Sequence, residues 1–294
     1  MKAVVISEVA AKSQAEVGSI RPGATIRQFI FNEEGYDGLN FKLFRSQFQP
    51  GESAHSTPRH HHAFQQIRWS ESGSVNYAPD MFIDEGDVAY FPLGAYYGPQ
   101  LKDQGVTVTL QFGFGDEHKD GGAKGSQLRG EATERLIARG TFANGIYVDE
   151  DPETGARRER DAVQALYEEM NSLTSGEAFV VPSAGYEEPI LLHTEAFEYY
   201  EVGYGVEMKR YGRFYDHPGP HGDVAISRLR ISDGGSYTFG DERAQVAWTK
   251  SPGLRVDGKV FPELSCIYSA RGETLVIESD AVVEVNVAEL PRLD

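Results

Sequence analysis

Polar and apolar residues alternate along much of this chain. Val106-Thr107-Val108-Thr109-Leu110-Gln111-Phe112 alternates without a fault, and Phe41 to Phe48 follows the same rhythm. A period of two is that of a strand with one face on a core. Gln66 to Ser70 and Val88 to Phe91 read as further short strands. Turn formers bound them: Pro50-Gly51, Glu71-Ser72-Gly73-Ser74 and Pro92-Leu93-Gly94. Residues 24 to 114 therefore read as strands and turns.

The period changes in the middle. Residues 115 to 125 are rich in Gly, Asp and Lys and read as a loop. Leu128, Ala132 and Leu136 then recur at intervals of four, which predicts an amphipathic helix over Gln127 to Arg139 that stops at Gly140. Residues 149 to 158 are charged, carry Pro152 and Gly155, and predict an exposed turn. Asp161 to Leu173 is helical again, through Ala162, Leu166, Met170 and Leu173. Strand texture returns after Phe179-Val180-Val181, in Val224 to Ile231, Leu275 to Ile277 and Val282 to Val287. The expected organisation is β-rich over 1–120, helical over 121–175 and β-rich over 176–294, an all-β dominated chain with a short helical segment.

The two β-rich parts echo one another. Gln66-Ile67-Arg68-Trp69 resembles Gln245-Val246-Ala247-Trp248, Gly73 recurs as Gly253, and Gly86-Asp87-Val88-Ala89-Tyr90-Phe91 recurs as Gly272-Glu273-Thr274-Leu275-Val276-Ile277. Three matches in one order indicate an internal repeat of one β module.

Composition narrows the partners. The chain has 294 residues, 40% hydrophobic and 25% charged, with a formal net charge of −17. That balance is ordinary for a folded domain, and its sign disfavours nucleic acid and anionic membrane surfaces. No apolar run approaches the ~20 residues of a membrane helix. The N-terminus does not read as a signal peptide, and a lone Cys266 forms no internal disulfide. A cytoplasmic protein with a small-molecule partner is the expectation.

The candidate chemistry centres on His60-His61-His62. Along a strand, His60 and His62 would point to one side and His61 to the other, and imidazole is the commonest ligand of transition metals. If Gln66 points inward, Arg68 does too; a buried guanidinium needs a carboxylate or an anionic, oxygen-rich ligand. Tyr90 and Tyr96 add aromatic surface suited to a flat ligand. His55 on the preceding turn and Gln111 on the alternating strand could reach the same space.

In this order, Gly51, His60-x-His62, Gln66 and Gly73, followed by Gly86-x5-Pro92-x-Gly94, resemble the two motifs of the cupin superfamily. With the internal repeat, the chain resembles a bicupin. The resemblance implies two double-stranded β-helix (jelly-roll) barrels joined by the helical segment, and one divalent transition metal in the first barrel. Iron is favoured, with manganese, nickel, copper and zinc as alternatives. His60 and His62 carry over onto the motif. Gln66 stands where the family has Glu, and Tyr97 where it has the second-motif His. The implied ligand set is His60, His62, Gln66 and Tyr97, with Tyr97 and Arg68 as catalytic groups and Arg68, Tyr90, Gln111 and His55 around the substrate. The second half has Phe239 and Asp241 at the histidine positions and Glu278 at the Pro92 position, so its barrel is structural or dimer-forming. His217 and His221 read as a loop feature. The implied activity is a metal-dependent oxidoreductase of the dioxygenase type acting on a small phenolic, enolic or hydroxy acid. A cupin isomerase, epimerase or lyase using acid/base residues is the alternative, as is a non-catalytic small-molecule binder. A homodimer is the assembly the resemblance allows.

Overall fold

The fold is described from a computed structural model over residues 1–13, 16, 20–21, 23–34, 39–50, 54–114, 122–176, 179–215 and 223–291. The expected turn residue Gly51, the loop residues 115–121, and His217 and His221 lie outside these. Strands dominate, as the alternation predicts, and there are two α-helices among the described residues. The chain divides into two compact units, one of Ala11–Glu33 with Asn40–Leu191, the other of Met1–Ala10, Glu34–Leu39 and Leu192–Asp294.

This differs from the linear division at 120 and 175. The helical segment belongs to the first barrel's unit. The N-terminal strand Lys2–Val5 belongs to the second, where it pairs antiparallel with Ser265–Ser269, Lys2 opposite Tyr268 and Val5 opposite Ser265. Strand pairing is a long-range choice that local pattern does not encode.

In the first barrel, one sheet runs in the order Ile190–Leu192, Val88–Phe91, Gln65–Ser72, Val106–Phe114, Asn40–Phe48, Thr25–Glu34, Lys12–Ser13. Register aligns three inner strands, so that Gln111 lies between Gln66 and Lys42, and Thr109 between Arg68 and Phe44. The alternation resolves into two buried faces. Val108, Leu110 and Phe112 bury on one side, while Thr107, Thr109 and Gln111 turn to the barrel interior. The interior face is thus the polar phase of the pattern. The short pair His55–Thr57 with Gln100–Lys102 contributes to the wall of the same interior.

The helical lobe folds on this barrel. α1 (Gly122–Arg139) begins earlier than its periodicity predicts, and α2 spans Ala162–Thr174. The expected exposed turn is the tip of a hairpin, whose arms are Ile146–Glu150 and Arg157–Asp161. Ala132, Leu136, Tyr147, Leu166 and Met170 form the lobe's core, and Phe64, two residues beyond the histidine triplet, packs into it. Asp161 caps α2, its Oδ1 accepting from Val163 N at 3.0 Å and Gln164 N at 2.9 Å. Such caps satisfy amides that a helix start leaves unpaired.

The second barrel pairs a seven-stranded with a four-stranded sheet. Its interior is filled by Leu229, Ile231, Phe239, Leu254, Ile277, Val285 and their neighbours. By the internal repeat, Ala247 takes the place of Arg68, and Ala247 sits in that apolar core. A barrel packed with aliphatic side chains has a core where the first has a cavity.

Candidate functional site: a basic cavity in the first barrel

A cavity of about 440 Å³ opens inside the first barrel. The histidine triplet does not form a strand. His60 makes an isolated antiparallel bridge with Tyr97, each N–H donating to the other's carbonyl at 3.0 Å, and Gly94 N–H donates to His62 O at 2.9 Å. The two sequence motifs therefore meet backbone to backbone, which sets Tyr97 against His60. Gly94 is required there: its φ is +73°, and a Cβ would stand 2.3 Å from Pro182 O.

His60 and His62 both line the cavity, their ring centroids 4.9 Å apart. His61 turns away and stacks on Tyr96 at 4.1 Å. Gln66, Arg68, Tyr97, Gln111 and His55 line the cavity as well. Tyr90 does not. It lies on the other face of its strand, fully buried, and donates its hydroxyl proton to Gln65 Oε1 at 2.7 Å. Its expected place beside the substrate is corrected by strand parity: Ala89 and Phe91 face the Tyr97 side.

Arg68 is the hub of the polar network. Its Nη2 donates to Tyr97 Oη and to Gln66 Oε1, both at 3.2 Å, and its guanidinium lies 4.2 Å from the centroid of the Phe91 ring. Gln66 Nε2 donates to Tyr97 Oη at 2.7 Å, and Gln111 Nε2 donates to Gln66 Oε1 at 3.1 Å. His60 Nδ1 lies 2.8 Å from Pro58 O, a carbonyl that can only accept, so the ring proton is on Nδ1. Nε2 is then a lone pair, and Arg21 Nη1 stands 3.4 Å from it. Burial first, then Arg21 and His62, hold His60 well below the usual imidazole range.

The charge of this cavity is not visible in the sequence. Besides Arg68, its lining includes Arg21, Arg27, Lys42, Lys102 and Arg129. The one carboxylate among the described lining residues is Glu16, which is exposed. Arg21 is neutralised by Asp161, Nη2 donating to both carboxylate oxygens at 2.9 and 2.8 Å. Arg27, Arg68 and Lys102 have no carboxylate partner among the described residues; Arg27 and Lys102 lie over the rings of Phe44 and Phe48. Arg27 Nε, Arg68 Nη1, His55 Nδ1 and Gln100 Nε2 are buried without a hydrogen-bond partner. Buried polar groups are almost always satisfied, so these donors are open to water or to a ligand entering the cavity. Lys42 shares the phase of Phe44 and Ser46, and Lys102 that of Gln100, so parity could have found both. A Lys in the polar phase of a strand ordinarily reads as solvated.

The same chemistry tests the metal. Among the described residues, no group of three or more His, Cys, Asp or Glu is placed to hold a metal ion. His60 offers one lone pair and a guanidinium faces it. Gln66 Oε1, its only ligand atom, already accepts two hydrogen bonds. Arg68, 3.2 Å from both Gln66 Oε1 and Tyr97 Oη and without a carboxylate partner among the described residues, repels a dication placed there. The donors His60, His62, Gln66 and Tyr97 therefore do not fit a divalent iron, manganese, nickel, copper or zinc ion, because the negative charge that would hold it is replaced by positive charge.

His55 gives the folded state a pH dependence. Burial first, then Lys102, Arg27, Arg21 and Arg68, push its imidazole down to about 2. The unfolded chain titrates His55 near ~6.5 and so binds a proton that the folded chain refuses. The contribution is complete above the unfolded value and is lost as pH falls below it, by about 1.4 kcal/mol per unit. Between pH 6.5 and 5, urea unfolding of the natural chain is expected to lose about 2 kcal/mol more than unfolding of His55→Gln. Parallel pH profiles would refute a neutral buried His55.

No protein-family model matches the sequence, and no curated protein matches it. Solved structures do. A provisionally assigned dioxygenase from Nostoc punctiforme matches 99% of this chain and 83% of its own, at a TM-score of 0.61 and 11% identity. Ylba from E. coli matches 99% of this chain and 91% of its own, at 0.54 and 8%. Bacillus subtilis oxalate decarboxylase matches 100% of this chain and 78% of its own, at 0.52 and 12%; that protein has Mn(II) centres. At such identities the likeness speaks to fold alone. No helix among the described residues is long and apolar enough to cross a membrane.

Proposed function

We propose that this chain, whose fold is that of the two-barrel cupins, is an enzyme that takes a small anionic substrate into its first barrel and works on it by acid–base chemistry without a metal. The observation that carries this is the set of basic groups, half-buried Arg27 and buried Arg68 and Lys102, facing one cavity with no carboxylate partner among the described residues. An anionic ligand supplies the missing counter-charge and the missing acceptors at once. The same field favours reactions in which negative charge develops, such as removal of a proton beside a carboxylate or carbonyl. Tyr97 Oη, beside Arg68, and the His60 Nε2 lone pair, beside Arg21, are the proton-handling atoms. This is the isomerase, epimerase or lyase reading, with Arg68 orienting the substrate. A metal-dependent oxidoreductase of the dioxygenase type is the second reading. The paired rings of His60 and His62 favour it.

One preparation decides between them. Elemental analysis of the purified protein is expected to find metal well below one equivalent per chain. Citrate and inorganic phosphate, titrated by calorimetry, are expected to bind and to raise the unfolding temperature in proportion to occupancy. A full equivalent of metal that is lost in His60→Ala and His62→Ala would overturn the metal-free reading. Absence of anion binding would remove its foundation.

A further inference from the structure

We propose that Lys102 is a nucleophilic amine that forms an imine with the carbonyl of a small keto acid bound in this cavity. The inference rests on the anionic-substrate reading above and adds to it a covalent step and a substrate class.

The geometry is specific to this lysine. Lys102 is 6% exposed, lines the cavity and has no carboxylate partner. Its Nζ lies 4.9 Å from the centroid of the Phe48 ring, an apolar wall. Directly across the strand pair stands His55, itself held neutral. Burial first, then Arg68, Arg27 and Arg21, push the amine well below the ordinary lysine range. A lysine desolvated beside other cations gives up its proton more readily than an exposed one, and the freed lone pair is what attacks a carbonyl. The guanidiniums that lower the Lys102 pKa, Arg68 and Arg27, stay charged, so the cavity sets a cationic anchor beside an amine that gives up its proton readily.

The surroundings fit each stage. The carboxylate of a keto acid pairs with Arg68 and Arg27, whose Nη1 and Nε lack partners. Gln100 lies two residues before Lys102 on the same strand face, and its Nε2 is a buried donor without a partner. It can donate to the carbonyl oxygen under attack. The Lys102 nitrogen adds to the carbonyl carbon, the oxygen takes up a proton, and the carbinolamine loses water. One amine and one carbonyl become one imine and one water, with no change of oxidation state. The protonated imine then draws electron density from the adjacent carbon, where loss of a proton or of carbon dioxide leaves charge that the cavity stabilises.

The test is reductive trapping in the full chain. Glyoxylate and pyruvate are each incubated with the protein and sodium cyanoborohydride, and the product is mapped by peptide mass spectrometry. Lys102 is expected to carry the adduct at least tenfold above the exposed Lys2, Lys250 and Lys259, and citrate is expected to suppress it. Lys102→Met, with folding checked by thermal unfolding, is expected to lose that adduct and leave surface labelling unchanged. Labelling of Lys102 no faster than the surface lysines, in a chain that binds citrate, would overturn the imine and leave the anionic-substrate reading standing. Failure of both citrate binding and trapping would overturn the two together. The map of the natural chain decides the matter even if the variant does not fold.

Discussion

Asp161→Ala is expected to lower the unfolding free energy by about 4 kcal/mol or more, with little change in the urea m-value. Two losses combine. Asp161 and Arg21 form a buried ion pair whose side chains are 7% and 9% exposed, so solvent screens it little. Removing one partner of such a pair costs about 3–5 kcal/mol, because the other charge stays buried. Asp161 Oδ1 also accepts from the amides of Val163 and Gln164, and an N-cap is worth about 1 kcal/mol. Asp161→Asn keeps an acceptor for the cap and loses the charge, so it should recover roughly 1 kcal/mol of the loss. Equal destabilisation by the two variants would mean that the cap contributes nothing. Asp161 ties the start of α2 to the cavity wall at Arg21, and Arg21 in turn stands 3.4 Å from His60 Nε2.

The second large effect is on binding. Arg68→Met is expected to weaken citrate by about two orders of magnitude, since losing a buried charge-assisted contact costs about 2–5 kcal/mol. The same substitution should raise the stability of the ligand-free protein by roughly 1 kcal/mol, because it removes a buried cation that has no carboxylate partner and keeps apolar contact with Phe91. Calorimetry and urea unfolding on one pair of proteins read both signs. A variant that loses stability along with citrate binding would make Arg68 structural, an anchor for Tyr97 and Gln66. Opposite signs would identify it as a group held at a cost for the ligand.

Short-range pattern made much of the fold legible. The faultless alternation of Val106 to Phe112 is a strand with both neighbours in register, and Gln66 and Arg68 share one face because side chains alternate at a period of two. The repeat of Gln66 to Trp69 at Gln245 to Trp248 marks the second barrel. Other expectations met tertiary facts. His61 turns away from His60 and His62, yet no strand does this; a bridge to Tyr97 and a bond from Gly94 hold the segment. Tyr90 shares a strand with Phe91 and faces the opposite side. Lys2–Val5 left the first β-rich stretch to complete the second barrel's sheet.

Local patterning therefore decided that this chain forms strands, where they turn, and which residues on each strand share a face. These depend on backbone geometry and neighbours a few residues apart. The character of the cavity was decided only by the fold. Arg27, Lys102 and Arg129 come from two different strands and a helix to join Arg68, and each of the three alone reads as an ordinary basic residue in a chain of net charge −17. A site's charge is a sum over groups that long-range pairing brings together, and here that sum is opposite in sign to the whole molecule's. On the proposed reading, it is the term that turns the paired histidines into part of an anion-binding cavity.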